Sequence, residues 1–296
     1  MRKFIKQITM PIIRHLTWLP DRLYLRLRFL IELGYPLRLN RPQTFNEKLQ
    51  WLKLNYRHPA MSVMVDKYRA RDFVAKRIGR QYLIPLLGVW EKAEDIDFET
   101  LPRQFVIKCN HNSGNGMYIC KDKSLLDISA VRDGLAEGLK ENYYITSREW
   151  PYKDVPRRIV AEEFLIDKDS PEESLRDYKF FCFNGIVEFF KIDLDRFSNH
   201  RANYYDRDGK LTGYGETNYP PNPDRKVDMP AVLPKMIQLA ECLAAGFPFL
   251  RVDFYNIGSK IYFGELTFYP AAGFGDFTPA GTDANLGKLL TLPDSL

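Results

Sequence analysis

The sequence predicts an α+β fold on three observations. Residues 1–60 space their apolar side chains as helices do, with NRPQTFNEKLQWLKL reading as a Pro-led turn that enters a helix. Two later stretches, FVIKCNHNSGNGMYIC and RDYKFFCFNG, read as strands broken or closed by Gly-bearing turns. Near the C-terminus, RVDFYNIGSKIYFGELTF (Arg251–Phe268) reads as a β-hairpin turning about Gly258.

Between these landmarks the elements follow in order. Met61–Ile78 has a helical pattern, and YLIPLLGVW is a short strand-like run. Lys108 lies inside the first strand of FVIKCNHNSGNGMYIC, a position that seldom hosts Lys without a partner. An ammonium followed by Gly114 and Gly116 suits a phosphate site, because glycines let backbone N–H groups approach oxygens closely. An ordinary hairpin turn is the alternative. No Gly-Lys-Ser/Thr follows, so this is not a Walker A loop. RRIVAEEFL (Arg157–Leu165) is a β-rich run ending in two carboxylates and an apolar pair. NYPPNPDRKVDMP is a Pro-rich loop expected to be exposed, and a helix is expected from Pro230 to about Ala245.

The C-terminal hairpin carries the chemistry. Side chains alternate faces along a strand, so turn length decides which of them meet. A three-residue turn, Ile257-Gly258-Ser259, pairs Asp253 with Phe263 and Arg251 with Glu265. Arg251, Asp253, Glu265 and Thr267 then share one face, whereas an even turn sends the two carboxylates to opposite faces. Two carboxylates on one strand pair suit magnesium with room left for nucleotide phosphates. The alternative is a solvated polar face with a cross-strand Arg–Glu pair.

At 296 residues the chain is long enough for a large core and about two structural units. The four cysteines (Cys109, Cys120, Cys182, Cys242) lack CxxC spacing, which points to reduced cytosolic thiols and no zinc site. His15, His58, His111 and His200 are scattered without HExxH spacing, and His111 in the glycine loop is expected to be solvated. No apolar run approaches a membrane span, and Lys6, Gln7 and Arg14 interrupt any signal-peptide core.

In chain order, the Asp66-Lys67 pair, the strand Lys before a Gly loop, AEEFL, the acidic strand DYK and RVD…ELT resemble the ATP-grasp superfamily. PQTFNEKLQWLK, DYKFFCFNG, RVDFY and FGELTF resemble its TupA-like branch, named for teichuronopeptide synthesis, from about Pro42 to the C-terminus. The resemblance implies an ATP-grasp fold of two α+β lobes gripping ATP behind a short helical segment. Residues 1–60 would be that segment, 61–160 the small lobe with the phosphate loop, and 161–296 the large lobe with hinge and metal site.

Residue by residue, the resemblance implies that Lys67 and Lys108 clamp nucleotide phosphates beneath a loop of Asn112, Ser113, Gly114 and Gly116. Glu162, with the backbone of Glu163 and Leu165, would read adenine, and Asp177 and Lys179 would serve the ribose and phosphate side. Asp253 and Glu265 would hold magnesium. Arg251 falls where D-alanine–D-alanine ligases place the arginine that steadies the acyl phosphate and tetrahedral intermediate, so Arg251 and Lys108 are the expected catalytic pair. Thr267 departs from the Asn that usually supplies a third metal ligand, and its hydroxyl is a weaker partner. Arg196 and Arg201 either grip triphosphate or an acceptor carboxylate, or lie in a solvated loop. A Rossmann-like domain usually precedes the grasp in this superfamily. Only about 60 residues precede Lys67 here, which leaves the acceptor-binding surface open.

The expected activity is an ATP- and magnesium-dependent carboxylate–amine ligation through an acyl phosphate. It would attach an amino acid or amine to a uronic-acid-type carboxylate of a sugar or glycan in cell-surface polysaccharide biosynthesis. The alternatives are a phosphotransferase acting on a sugar, a glycosyltransferase using a nucleotide sugar, and a non-enzymatic membrane-associated scaffold. In the ligase reading Asp253 is a cleft carboxylate, so Asp253→Asn is expected to leave folding largely intact.

Charge is unevenly spread. Residues 1–30 hold seven Lys/Arg against Asp21 alone, while the whole chain is only +5. Nucleic-acid binding by the main body is therefore not expected. The leading segment mixes its charges with Phe4, Ile5, Ile8, Ile12, Ile13, Leu16, Trp18 and Leu19. Such a stretch either lies on an anionic membrane surface or packs on the domain as ordinary amphipathic helix, and packing is the expectation. The expected location is the cytoplasm, with peripheral contact at the inner face of the membrane under the first reading.

Overall fold

The computed structural model describes Thr9, Ile13 and residues 15–167, 175–195 and 199–294. Phe4, Ile5, Ile8 and Ile12 of the expected N-terminal apolar residues, and Arg196, lie outside the described residues. Helix α1 spans Asp21–Leu33 and stops at Gly34, whose φ of 82° lets its N–H reach the Leu30 carbonyl. Helix α2, Phe45–Asn55, starts on a capping box in which Thr44 and Glu47 satisfy each other's backbone N–H groups. Glu47 also accepts from the N–H groups of Arg38 and Gln43, so PQTFNE folds as one hydrogen-bonded unit.

The expected helix at 61–78 is two short ones, α3 (Met61–Met64) and α4 (Ala70–Arg77). Asp66 interrupts them: its Oδ1 accepts from the N–H groups of Tyr68 and Arg69 and from the Asn110 side chain. Lys67 therefore sits in a turn rather than on a helix. Strands β1 (Leu86–Trp90), β2 (Phe105–Cys109) and β3 (Met117–Cys120) follow, then α5 (Ile128–Lys140), α6 (Tyr143–Ser147) and β4 (Ile159–Glu163). These four strands form an antiparallel sheet ordered β1-β4-β2-β3. Its core of Phe105, Ile107, Ile159 and Ala161 is covered by Val131 and Leu135 of α5.

The second sheet is built from β5 (Asp177–Phe183), β6 (Ile186–Leu194), β7 (Arg201–Asp206), β9 (Phe249–Ile257) and β10 (Lys260–Thr267), in the order β10-β9-β5-β6-β7. Asn184 and Gly185, both at positive φ, make the two-residue turn between β5 and β6. Strand β8 (Gly215–Glu216) pairs with β11 (Phe277–Thr278), α7 runs Leu233–Ala244, and α8 closes the chain at Thr282–Leu289. Helix α7 covers one face of the large sheet, and the Cys182 thiol meets the Ala240 carbonyl there. The opposite face has two halves. Phe181, Phe183 and Phe249 form an apolar half, with Phe45 of α2 against Phe183 and Phe249. The other half is charged.

The two cores redraw the expected boundaries. Strand β4 runs to Glu163 inside the small sheet, so a division at 160/161 would cut a strand. Helices α2, α3 and α4 contribute Phe45, Leu49, Met61, Met64 and Val74 to the core of the large sheet, not to a separate N-terminal segment or to the small lobe. A third cluster joins Tyr24, Leu25 and Phe29 of α1 to Phe274 from the chain's end. The Pro-rich loop is mostly exposed, yet buried Asn203 pins it through two hydrogen bonds to the Asn222 backbone. Cys109, Cys120 and Cys182 are buried, Cys242 is exposed, and all four are free. Among the described residues no helix is long and apolar enough to cross a membrane.

Candidate active site

The hairpin turn is even, Gly258-Ser259, with Lys260 opposite Ile257. By turn length alone, Glu265 and Asp253 belong on opposite faces. A bulge between Phe263 and Glu265 absorbs Gly264 and restores the shared face, so Asp253 pairs with Glu265 and Arg251 with Thr267. The expected grouping holds, but the odd turn and its Arg251–Glu265 pairing do not. Glycine suits the bulge because a Cβ on Gly264 would stand 3.1 Å from the Asp253 carbonyl oxygen and 3.2 Å from the Tyr255 ring.

Arg251 spans both carboxylates. Its Nε donates to Asp253 Oδ1 at 2.7 Å, and its Nη2 reaches Asp253 Oδ2 and Glu265 Oε1, each at 2.7 Å. Thr267 Oγ1 points at the same Glu265 oxygen from 3.4 Å. Lys179, opposite Asp253 on β5, donates to Asp253 Oδ2 at 2.8 Å and also pairs with Asp177. Burial alone would raise the Asp253 carboxyl, but Arg251 and then Lys179 outweigh it and hold it at about 2. Burial prevails at Asp177, which is pushed upward because Lys179 is its main offset while Asp253 and Asp193 add negative charge.

Asp253 is only 1% exposed, whereas the Glu265 side chain is 43% exposed, so the site opens at Glu265. This overturns the expectation that Asp253→Asn is harmless to folding. Removing that charge leaves the buried Arg251 and Lys179 short of a counter-ion, a change that typically costs about 3–5 kcal/mol.

The charged face continues past the expected residues. Lys191 on β6 lies 3.6 Å from Asp193 and 3.5 Å from Glu216, and His200 Nε2 lies 3.2 Å from Asp193. The Tyr219 ring of the Pro-rich loop packs on His200 at 4.1 Å and beneath the Lys191 ammonium. Sequence reasoning passed over Lys191 and Asp193. The signal was available, since KID alternates charge inside an apolar strand just as Lys108 does.

On the small sheet, Lys108 Nζ pairs with Glu162 Oε2 at 2.7 Å, and Arg71 holds Glu162 Oε1 at 2.9 Å. The Glu162 side chain is thus committed to two cations, and Arg71 was not foreseen. The Glu163 N–H is taken by the Pro85 carbonyl, while Leu165 follows the strand half-buried. Lys67 Nζ donates to the Asn112 carbonyl. Burial pushes its ammonium down, Glu265 opposes that, and Lys108 adds to it, so Lys67 lies within electrostatic reach of both sheets. The intervening cleft is lined by Met64, Lys67, Tyr152, Phe263, Gly264 and Glu265.

The glycine loop divides its labour. Asn112 is buried and bonds to the Gly138 carbonyl at 3.3 Å, and a Cβ on Gly116 would meet Cys109 Sγ at 2.9 Å. Ser113, Gly114 and Asn115 are exposed, and nothing would stand within 4 Å of a Cβ on Gly114. His111 is not solvated. It is 3% exposed with Nε2 at 3.1 Å from the Glu141 carbonyl, and burial lowers its pKa.

Helix α2 braces the far end of β10. Asn46, Gln50 and Lys53 share one buried face and bond to the backbone of Ala272, Gly273 and Gly275. There Ala271, Ala272 and Gly273 run left-handed at φ 48°, 51° and 67°. Such geometry costs an L-residue about 1–2 kcal/mol, so the helix's polar face offsets local strain. Lys53 is 1% exposed, and burial brings its pKa down to about 7. Burial raises nearby Glu149, 2% exposed, to about 7 as well. Tyr143 donates to Glu149 at 3.3 Å and meets Tyr152 of the cleft wall edge to face.

Among the described residues no three His, Cys, Asp or Glu side chains are grouped to hold a metal by themselves. Magnesium needs fewer, because one or two carboxylates suffice when phosphates and water complete the shell. Asp253 and Glu265 are hard oxygen donors on one face. Among the described residues, that face also carries Asp177, Asp193 and Glu216 beside Arg251, Lys179 and Lys191. The donor set fits magnesium.

A family model described as TupA-like ATPgrasp matches residues 47–291. No curated protein matches the chain. Among solved structures, the chain is similar to D-alanine–D-alanine ligase from Bacillus anthracis, at 17% identity and TM-score 0.42, over 70% of this chain and 58% of that one. D-alanine–D-alanine ligase from Helicobacter pylori is 14% identical with TM-score 0.43, over 83% and 69%. N5-carboxyaminoimidazole ribonucleotide synthetase from Thermus thermophilus is 13% identical with TM-score 0.41, over 77% and 52%. The chain thus spans little more than half the length of the first and third of these proteins.

Proposed function

The chain belongs to the TupA-like ATP-grasp family, and from that premise we propose that it is an ATP- and magnesium-dependent ligase joining a carboxylate to an amine. The observation that carries this reading is Arg251 bridging Asp253 and Glu265, the latter at the edge of a cleft that Lys67 also lines. Asp253 and Glu265, with the Thr267 hydroxyl beside them, are the residues that would hold magnesium, which when bound neutralises charge on the phosphates.

Lys67, Lys108 and Lys179 bind the triphosphate, and Ser113 and Gly114 offer open backbone above it. The backbone of Glu163 and Leu165 reads adenine, and Asp177 borders the ribose. A substrate carboxylate oxygen attacks the γ-phosphorus, the bond to the bridging oxygen breaks and ADP leaves. The amine then attacks the acyl carbon, Arg251 stabilises the negative charge that builds on its oxygen, and inorganic phosphate departs as the amide forms and the amine sheds its proton.

The substrates we assign are an amino acid or amine and a uronic-acid-type carboxylate of a cell-surface glycan, with the reaction in the cytoplasm. Support for that assignment is the family's teichuronopeptide connection. Thermal-shift titration with ATP, ADP and nucleotide sugars, with and without magnesium, tests the nucleotide. ADP release that requires both a carboxylate and an amine tests the reaction. A stable phosphosugar formed without any amine would replace the ligase by a sugar phosphotransferase.

A further inference from the structure

We propose that the outer face of α1 docks on an anionic lipid surface. The helix has two apolar stripes. One, Tyr24, Leu25, Phe29 and Leu33, is buried in the N-terminal core. The other points to solvent: Leu23 is 52% exposed, Leu27 36% and Leu30 48%, with Trp18 at 75% just ahead of the helix. Positions 23, 27 and 30 follow the i, i+4, i+7 spacing of a single helix face. Arg22 and Arg26, also exposed, flank that stripe.

The helix cannot turn this stripe inward. Arg148 clamps Asp21 at 3.1 Å and the Thr17 carbonyl at 2.9 Å, and Tyr144 bonds Asp21 at 2.7 Å. Tyr24 and Arg28 both donate to the Thr146 carbonyl. These contacts lock α1 to Tyr144, Thr146 and Arg148 and fix which stripe faces outward.

Charge selects the occupant. Residues 1–30 carry seven Lys/Arg against Asp21, while the remainder of the chain is close to neutral. A second copy would bring Arg22 and Arg26 against like charge, whereas an anionic lipid interface accepts both the arginines and the apolar stripe. The docking is independent of the proposed reaction and would hold a glycan-modifying enzyme at the surface where lipid-linked acceptors reside.

The test is vesicle sedimentation of the full chain at low salt, with phosphatidylglycerol–phosphatidylcholine vesicles against phosphatidylcholine alone. Binding to the anionic vesicles only is expected, weakening as salt screens the arginines. A Leu23→Ser/Leu27→Ser/Leu30→Ser variant is expected to bind at least about tenfold more weakly, given the apolar area it removes. Its melting temperature and its ATP-induced thermal shift should be unchanged, since these side chains face solvent. Arg22→Glu/Arg26→Glu should abolish the preference for anionic lipid. No sedimentation with anionic vesicles, equal binding to both kinds, or a triple variant that binds like wild type overturns the proposal. So does a dimer in light scattering that the triple variant dissolves, which would make the stripe a contact between copies.

Discussion

Asp253 and Glu265 stand directly opposite each other across β9 and β10, although the two-residue turn between their strands should separate them. Gly264 makes the difference by occupying a bulge where a side chain would crowd the Asp253 carbonyl. The paired carboxylates, drawn together by Arg251, are unequal: one is buried under two cations, and the other meets solvent.

That inequality separates two substitutions. Glu265→Gln should keep the wild-type melting temperature and lower turnover by about a hundredfold or more, through loss of preorganised charge at the reacting phosphates. Asp253→Asn should lose turnover and several degrees of melting temperature together. Equal thermal stability of the two variants would contradict the buried ion cluster, and unchanged ATP consumption in Glu265→Gln would contradict the metal site.

Arg251→Ala tests the second half of the reaction. Lys179 still neutralises Asp253 in this variant, so ATP-induced thermal shift should remain close to wild type. Amide formation should fall by roughly two to three orders of magnitude, as when an oxyanion donor is removed. With wild-type protein, hydroxylamine should trap the acyl phosphate as a hydroxamate, and with Arg251→Ala that trapping should fall in parallel. An Arg251→Ala variant that forms amide at the wild-type rate removes the residue from catalysis.

Lys67 tethers the glycine loop through the Asn112 carbonyl and lies within electrostatic reach of Lys108 and Glu265. Lys67→Met should weaken ATP binding at least about tenfold, judged by isothermal titration, because a cation at the phosphates and a tether on the loop vanish together. Binding of adenosine, which has no phosphates, should hardly change. A similar loss for adenosine and ATP would place Lys67 away from the phosphates.

Glu149 gives a pH dependence with a definite sign. Its folded pKa of about 7 exceeds the ordinary 4.5, so the folded chain keeps a proton that the unfolded chain releases. Stability from this group is present below pH 4.5 and is lost as pH rises toward 7. Lys53, lowered from 10.5 to about 7, acts in the opposite sense and favours the folded chain as pH climbs from 7 toward 10.5. Denaturant titrations of Glu149→Gln between pH 4.5 and 7 should show the variant gaining on wild type by up to about 3 kcal/mol. A stability difference that stays flat across this range would mean that Glu149 titrates normally.

The sequence by itself determined the local elements and the residue types of the site. Alternation in RVDFY and GELTF, the Asn184-Gly185 turn and the Thr44–Glu47 capping box are short-range events, settled by backbone sterics and neighbouring hydrogen bonds. The list Arg251, Asp253, Glu265 and Thr267 followed from the same alternation, though with the wrong turn. Only the tertiary structure decided what those groups do to one another. Lys179 meets Asp177, Asp193 and Asp253 together because β5 pairs with both β9 and β6, and strand order is set by long-range packing that no local pattern encodes. Which carboxylate is buried, whether His111 meets water, and which core receives α2 depend likewise on surfaces brought together from distant parts of the chain. Burial shifts the balance of charge and solvation at each group, so the sequence named the ionisable residues while the packed fold set their charge states and their cost.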